Sequence, residues 1–292
     1  MNDFFIFAVN KIIKMKKITI LISLFLITFS GIAQKKEKIK GSKKVTLETK
    51  AVGDFDVLEV TDDLEITIVK SDKNSIEIEA DDNIHEALGI NLNGTNLSLN
   101  MAKDIGSYKK FQVRVNYASG LKTIITRSES SVTALATVEL DDITFKAYDY
   151  SKLILNAKTK NFSLIADDKT RTELSLKSEN TIIELSKGAT AKVLLSSLTL
   201  KTDLYQNSVA EIEGDVADMK LRLNNSVDFK GKKLTIKRLE LIAEDKSNAY
   251  INVNEALSIE ASGSSEISLL GTQKIDMKKF DGESRLIKKM SR

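Results

Sequence analysis

Four pairs of adjacent aspartates, Asp62-Asp63, Asp81-Asp82, Asp141-Asp142 and Asp167-Asp168, are the residues of this chain best suited to chemistry. Paired carboxylates supply the acid and the base or nucleophile of glycosidases, and they ligate the hard cation of calcium-dependent polysaccharide lyases. The only imidazole base is His85, in Asn83-Ile84-His85-Glu86. No serine or aspartate stands at a spacing that ties His85 into a triad, so it reads as a surface or cap residue. Tyr148 and Tyr150 flank one polar stretch and are the best aromatic contact for a sugar ring. The 292 residues include no Cys, no Trp and no Pro. Thiol catalysis, disulfides, iron–sulfur clusters and thiolate zinc sites are excluded, and a single histidine excludes a His-rich metal centre within one chain.

The elements that must carry these residues are strands. Four segments share one frame: Ile143, Phe145, Ala147, then Ser151; Phe162, Leu164, Ala166, then Thr170; Leu239, Leu241, Ala243, then Ser247; Leu257, Ile259, Ala261, then Ser265. In each, apolar residues alternate and end in Ala, and a hydroxyl follows four places later. A period of two is a strand period, not a helical one. The intervening Tyr148-Asp149-Tyr150, Asp167-Asp168-Lys169, Glu244-Asp245-Lys246 and Ser262-Gly263-Ser264 are turns of residues that tolerate left-handed backbone. Looser copies place further markers at Thr190, Ser208, Ser226 and Ser284, giving gaps of 18 to 21 residues along the series 151, 170, 190, 208, 226, 247, 265 and 284.

A sandwich does not require the same small residue and hydroxyl at the same place in every strand. Stacked coils do, because like residues lie about 4.8 Å apart and each coil buries its apolar face against its neighbours. The chain is therefore expected to be all-β, a right-handed parallel β-helix or solenoid of roughly eight coils over 119–288, about 38 Å long on that spacing. Residues 45–118 show strand patterns in a different rhythm, with one short helical possibility from Asp82 to Leu88, and read as a β-rich N-terminal cap.

The same frame weighs against a site at the acidic pairs. Two places before each marker stand Asp149, Asp168, Gly188, Gln206, Asn224, Asp245, Gly263 and Gly282, a column that keeps turn-compatible residues and not carboxylates. The repeated hydroxyls read as turn and ladder hydrogen bonds, not nucleophiles. No residue is assigned a catalytic, cofactor-binding or metal-binding role, and no cofactor is expected.

The ends carry the address. From Met15, an alternative start, the chain reads Lys16-Lys17, an apolar run from Ile18 to Phe29, and small residues Gly31 and Ala33 before Gln34. This is the pattern of a secretory signal over 1–33, with a run too short to span a bilayer. The leader holds four Lys and Asp3, so the 44 basic and 41 acidic residues fall to 40 of each after cleavage. The segment 34–44, with six lysines against Glu37, reads as a solvated basic linker, and Arg285, Lys288, Lys289 and Arg292 make the tail basic. The body between is acidic and gains little from phosphate counterion release, which argues against a nucleic-acid partner. A protein exported to periplasm, cell surface or medium follows, with no membrane span once the signal is removed.

Gly53-Asp54-Phe55, Leu64-Glu65-Ile66-Thr67-Ile68 and Gly94-Thr95-Asn96-Leu97-Ser98-Leu99, with the later Ser186-Lys187-Gly188-Ala189-Thr190 and Ala261-Ser262-Gly263-Ser264-Ser265, resemble the auto-transporter adhesin head GIN domain family of Bacteroidetes envelopes. Asp149-Tyr150-Ser151 and Asp168-Lys169-Thr170 lack the glycine of that turn. The resemblance covers about Val52 to Lys288. It implies a secreted β-helical fold and an adhesive, non-enzymatic role toward an envelope, surface or glycan partner, and it brings no catalytic residues. The competing functions are a polysaccharide-active enzyme on the same scaffold and a periplasmic sensory accessory.

Overall fold

The computed structural model describes residues 36–290, so the leader and its expected cut before Gln34 lie outside the described residues. The chain divides after Glu37, and the second unit, from Lys38, holds every element discussed below. Strands account for 68% of the described residues, arranged as stacked parallel coils of a solenoid of about nine turns.

The clearest coil runs through Lys152–Ala166. It pairs in parallel with Arg171–Leu185, which pairs with Thr190–Tyr205, then Val209–Asn224, Asp228–Ala243 and Asn248–Ala261. Lys152 faces Arg171, Arg171 faces Thr190 and Thr190 faces Val209, a step of 19 residues per coil. Alternation makes Leu153, Leu155, Ala157 and Thr159 buried; it breaks where Lys160 and Asn161 are both exposed, and resumes at Phe162, Leu164 and Ala166. Two consecutive outward residues form a corner, so each coil has a first leg and a second leg on opposite walls of one apolar interior. Leu164, Ile183, Leu221, Leu241 and Ile259 lie in one column across successive coils, each at most 2% exposed.

The return from second leg to first is a tight turn with two left-handed residues, among them Asp149-Tyr150, Asp168-Lys169, Gln206-Asn207 and Asn225-Ser226. These turns stack through backbone bonds, as in Tyr150 N–H to the Asp168 carbonyl at 3.0 Å and Gly188 N–H to the Gln206 carbonyl at 2.9 Å. The residue after each turn points inward. That series runs Ser130, Ser151, Thr170, Ala189, Ser208, Val227, Ser247 and Ser265, all buried. The expected markers Thr190 and Ser226 are therefore off by one, and Ser130 precedes the first of them. Several of the hydroxyls make the expected hydrogen bonds, Ser130 Oγ to the Val60 carbonyl at 2.9 Å and Ser208 Oγ to the Leu185 carbonyl at 3.2 Å, whereas the buried Thr170 hydroxyl has no partner among the described residues.

The cap is woven into the stack. Val57–Val60 pairs in parallel with Thr123–Thr126 on one side and with Asn96–Met101 on the other. Glu65–Lys70 pairs likewise with Ser131–Ala134 and with Phe111–Tyr117. Along the stack the order is thus 96–117, then 57–70, then 123–134, so 57–70 is itself a coil and Asp62-Asp63 is its left-handed turn. Antiparallel Leu88–Asn93, Ser75–Asp81 and Val45–Ala51 close the end. The helical possibility at Asp82 to Leu88 is a single 3-10 turn, His85–Ala87.

The reading of 34–44 as a solvated linker is corrected from Lys38 on. Lys38–Ile39 pairs in parallel with Asp104–Ile105, and Gly41 N–H reaches the Ser107 carbonyl at 3.0 Å. The carboxylate of Asp81, fully buried, accepts the N–H groups of Lys43 at 2.8 Å, Lys109 at 3.1 Å and Lys110 at 3.0 Å. A single carboxylate thus ties the basic strap to the cap, a partner that lies about 40 positions away in sequence.

Candidate binding face

The outward side of the second leg carries the longest ordered array of polar side chains. In register across coils stand Asp142, Asn161, Asn180, Thr199, Asp218 and Arg238, at the corner of each coil. Asn161 donates to Asp142 at 2.6 Å, Asn180 to Asn161 at 2.8 Å, and Thr199 to Asn180 at 2.8 Å. Arg238 then forks onto Asp218 at 2.6 and 2.7 Å, and that bond holds the Asp218 carboxyl below its ordinary range. Equal spacing of identical backbone positions makes such a rail possible, because an amide can donate one way and accept the other. Two residues further along the strand, Ile182, Lys201, Lys220 and Glu240 form a second column, with Lys220 against Glu240 at 3.0 Å. Between the columns runs an open groove of about 560 Å³.

This face can hydrogen-bond and exclude some water, but its charges are spent on one another. Its polar groups can recognise a partner by hydrogen bonds and shape.

The acidic pairs do not converge. Asp62-Asp63 and Asp167-Asp168 both lie in turns, three coils apart, or about 14 Å at the spacing of stacked strands. Asp141-Asp142 lies at the corner, on the opposite edge of the coil. Asp167 accepts Lys187 at 2.8 Å; burial alone would raise its carboxyl, and the bonds from Lys187, Ser186 and the Asp168 N–H lower it on balance. For Asp81, burial would likewise raise the carboxyl, and the N–H groups of Lys109, Lys43 and Lys110 outweigh it and hold it low. Asp82 accepts Ser42 Oγ at 2.5 Å.

His85 belongs to the cap, as expected, but is 8% exposed and so not a surface residue. Its Nε2 lies 2.8 Å from Thr46 Oγ1 and its Nδ1 3.4 Å from a Glu48 oxygen. Tyr148 is covered by the Arg127 guanidinium, 4.3 Å from the ring centroid, and Tyr150 by the Lys169 ammonium at 5.3 Å. Both rings are thus engaged by cations of a neighbouring coil. Among the described residues no group of three or more His, Asp or Glu side chains is placed to hold a metal ion. No helix among them is long and apolar enough to cross a membrane. The polar rail went unrecognised in the sequence, although Asn161, Asn180 and Thr199 recur every 19 residues just after the break in alternation.

Solved structures share the fold. A protein from Parabacteroides merdae described as a putative adhesin has a TM-score of 0.61 at 14% identity, covering 86% of this chain and 99% of its own. One from Parabacteroides distasonis, also described as a putative adhesin, has a TM-score of 0.60 at 17% identity, covering 87% and 98%. A second from that organism, described as a putative lipid binding protein, has 0.60 at 14% identity, covering 86% and 99%. No protein of curated function matches the chain. The model of one family, described as "Putative auto-transporter adhesin, head GIN domain", matches residues 54–272, from the woven cap through the last full coil, and the chain belongs to that family.

Proposed function

We propose that this chain is an exported, non-enzymatic binding module of the cell envelope, which holds a surface or glycan partner against the outward side of its second legs. Family membership supports a binding role. The observation that carries the choice of face is the rail from Asp142 to Arg238, whose polar groups are paired along the stack and flank an open groove. A partner lying along the solenoid axis would meet the same chemistry at every coil. Export belongs to the same reading, with cleavage after Ala33 and a mature start at Gln34; terminal sequencing of secreted protein gives Gln34 if it holds and Met1 or Met15 if it does not.

A glycan array probed with wild type and with Asn180→Ala, Thr199→Ala and Arg238→Ala combined tests the face. At least tenfold weaker capture with an unchanged melting temperature is expected of the variant. The enzyme alternative is tested by reducing-end release and unsaturated-product absorbance across the same glycans. Turnover that vanishes on replacing Asp141, Asp142, Asp167 and Asp168 by Asn would overturn the binding reading.

A further inference from the structure

The cap end of the solenoid bears a basic surface that the fold holds rigid. Lys38 and Lys40 are exposed on the short strand of the strap, and their stems lie over Gly106, 3.6 and 3.5 Å from where a Cβ on that glycine would stand. Their ammonium groups therefore share one side of the strap. Lys43 and Lys109 are also exposed, and their N–H groups converge on the same Asp81 oxygen at 2.8 and 3.1 Å, which places these two lysines side by side. Among the described residues none of the four makes an ion pair, whereas Lys44 and Lys110 are engaged by Asp82 and Glu79. The Asp81 carboxylate that accepts the backbone N–H groups of Lys43 and Lys109 is buried and saturated by backbone donors. The backbone of Tyr108 lies against Gly41, and its ring, edge-on to Phe111 at 6.3 Å between centroids, leaves the residue 48% exposed.

We propose that this surface docks the cap end of the protein on an anionic lipid headgroup layer. Four lysines without partners on a fixed scaffold lose little freedom on meeting a negative plane, and each adds attraction that salt screens. The tyrosine decides between lipid and a soluble polyanion: an exposed ring with a polar tip beside lysines suits the boundary between headgroups and acyl chains, and gains nothing from a fully hydrated acidic polymer. The orientation that follows leaves the rail free, so the cap end holds the membrane while the second legs face outward. The inference uses the envelope reading only for its setting; the vesicle measurement and the glycan array fail independently of each other.

The test is co-sedimentation of the exported protein with vesicles of phosphatidylcholine alone and of phosphatidylcholine mixed equally with phosphatidylglycerol, at low and high salt. Three variants are compared with wild type: Lys38→Gln, Lys40→Gln, Lys43→Gln and Lys109→Gln combined; Tyr108→Ser; and a control replacing Lys158, Lys177, Lys192 and Lys230 by Gln on the first legs. These control lysines are exposed and make no ion pair, so the control matches the change in net charge. Binding to the anionic vesicles alone, lost in high salt, is expected. The strap variant should lose roughly fivefold per lysine and several hundredfold in all, from the ~1 kcal/mol each basic residue contributes near an anionic surface. Tyr108→Ser should weaken vesicle binding while leaving retention on soluble polyglutamate unchanged. Melting temperatures within the spread of the control establish that the variants fold. Failure of wild type to bind the anionic vesicles overturns the proposal, as does equal loss in strap and control variants, or polyglutamate retention that matches vesicle binding in every variant.

Discussion

Gly214 is a mid-stack position where one added methyl group should be severely destabilising. It faces Leu195 of the preceding coil in register, and the register with the following coil shifts between Glu211 and Gly214. The bulge gives Gly214 a φ of +112°, and a Cβ there would stand 1.9 Å from the Leu195 carbonyl oxygen and 2.9 Å from its carbon. Two costs add for Gly214→Ala. Holding an L-residue in that backbone region costs about 1–3 kcal/mol, and forcing two paired strands apart costs about 1–3 kcal/mol more. The sum, roughly 2–6 kcal/mol, should appear as a lower urea midpoint followed by far-UV circular dichroism, since the chain has no tryptophan to report fluorescence. Gly188→Ala is the internal control. Gly188 also has positive φ, +78°, but its Cβ would meet only the Lys169 side chain at 3.4 Å. The equivalent residues in other coils, Tyr150, Lys169 and Asn207, carry side chains with φ between 58° and 63°. Its cost should stay near or below about 1 kcal/mol. A Gly214→Ala protein within about 0.5 kcal/mol of wild type, or a larger loss at Gly188, would refute the argument from close approach of the strands.

Three further outcomes follow from the same geometry. Leu241→Ala, which empties the middle of an interior column, should cost about 2–5 kcal/mol by chemical denaturation; under about 0.5 kcal/mol would mean the column is not packed. Thr202 occupies the Leu164–Leu241 column fully buried, and its hydroxyl has no hydrogen-bond partner, so Thr202→Val should stabilise by about 1 kcal/mol, and destabilisation would show that the hydroxyl is satisfied. Asp81 has its pKa lowered by folding, so its contribution is present above the unfolded value of about 4 and is lost as pH falls through the folded one. Asp81→Asn should therefore melt below wild type at pH 7, with a gap that narrows in acid; a gap independent of pH would remove the charge from the explanation.

The solenoid was legible because its signal is local and repeated: alternation, a turn, and a small inward residue, in coil after coil. The details that escaped are the ones settled by residues far apart. Thr190 and Ser226 carry the hydroxyl that marks other coils, yet the inward positions are Ala189 and Val227, which only the register with Ser208 reveals. Asp62-Asp63 was read as an acidic pair because Leu64, not a hydroxyl, follows it, so nothing local marked it as a coil turn. That 57–70 lies between 96–117 and 123–134 depends on pairings that cross the chain order. The strap looked like a linker because its lysines have no local partners; what holds it is a carboxylate at Asp81. The polar rail escaped because Asp142, Asn161, Asn180 and Thr199 gain meaning only when stacked.

Stacking also decides where such a protein can keep unspent charge. A column of like charges 4.8 Å apart repels itself, so opposite or neutral partners on neighbouring coils are favoured. The chain does this at many places: Glu59 with Arg127, Asp167 with Lys187, Glu213 with Lys233, Lys220 with Glu240, Asp218 with Arg238; Lys152 facing Arg171, Lys158 facing Lys177 and Lys201 facing Lys220 are like-charged exceptions. Each exposed pair adds little stability, but together they neutralise much of the solenoid walls. A residue in the middle of the stack has a neighbour above and below to answer it; one at the end has a neighbour on one side alone. Among the described residues, unanswered lysines remain on the first legs, at Lys158, Lys177, Lys192 and Lys230, as well as at the cap end around Gly106 and Asp81. What sets the cap end apart is the exposed Tyr108 among its lysines, and the Asp142–Arg238 rail lies along the wall, so under the two proposals above attraction to a charged surface and reading of a partner would fall on different parts of one fold.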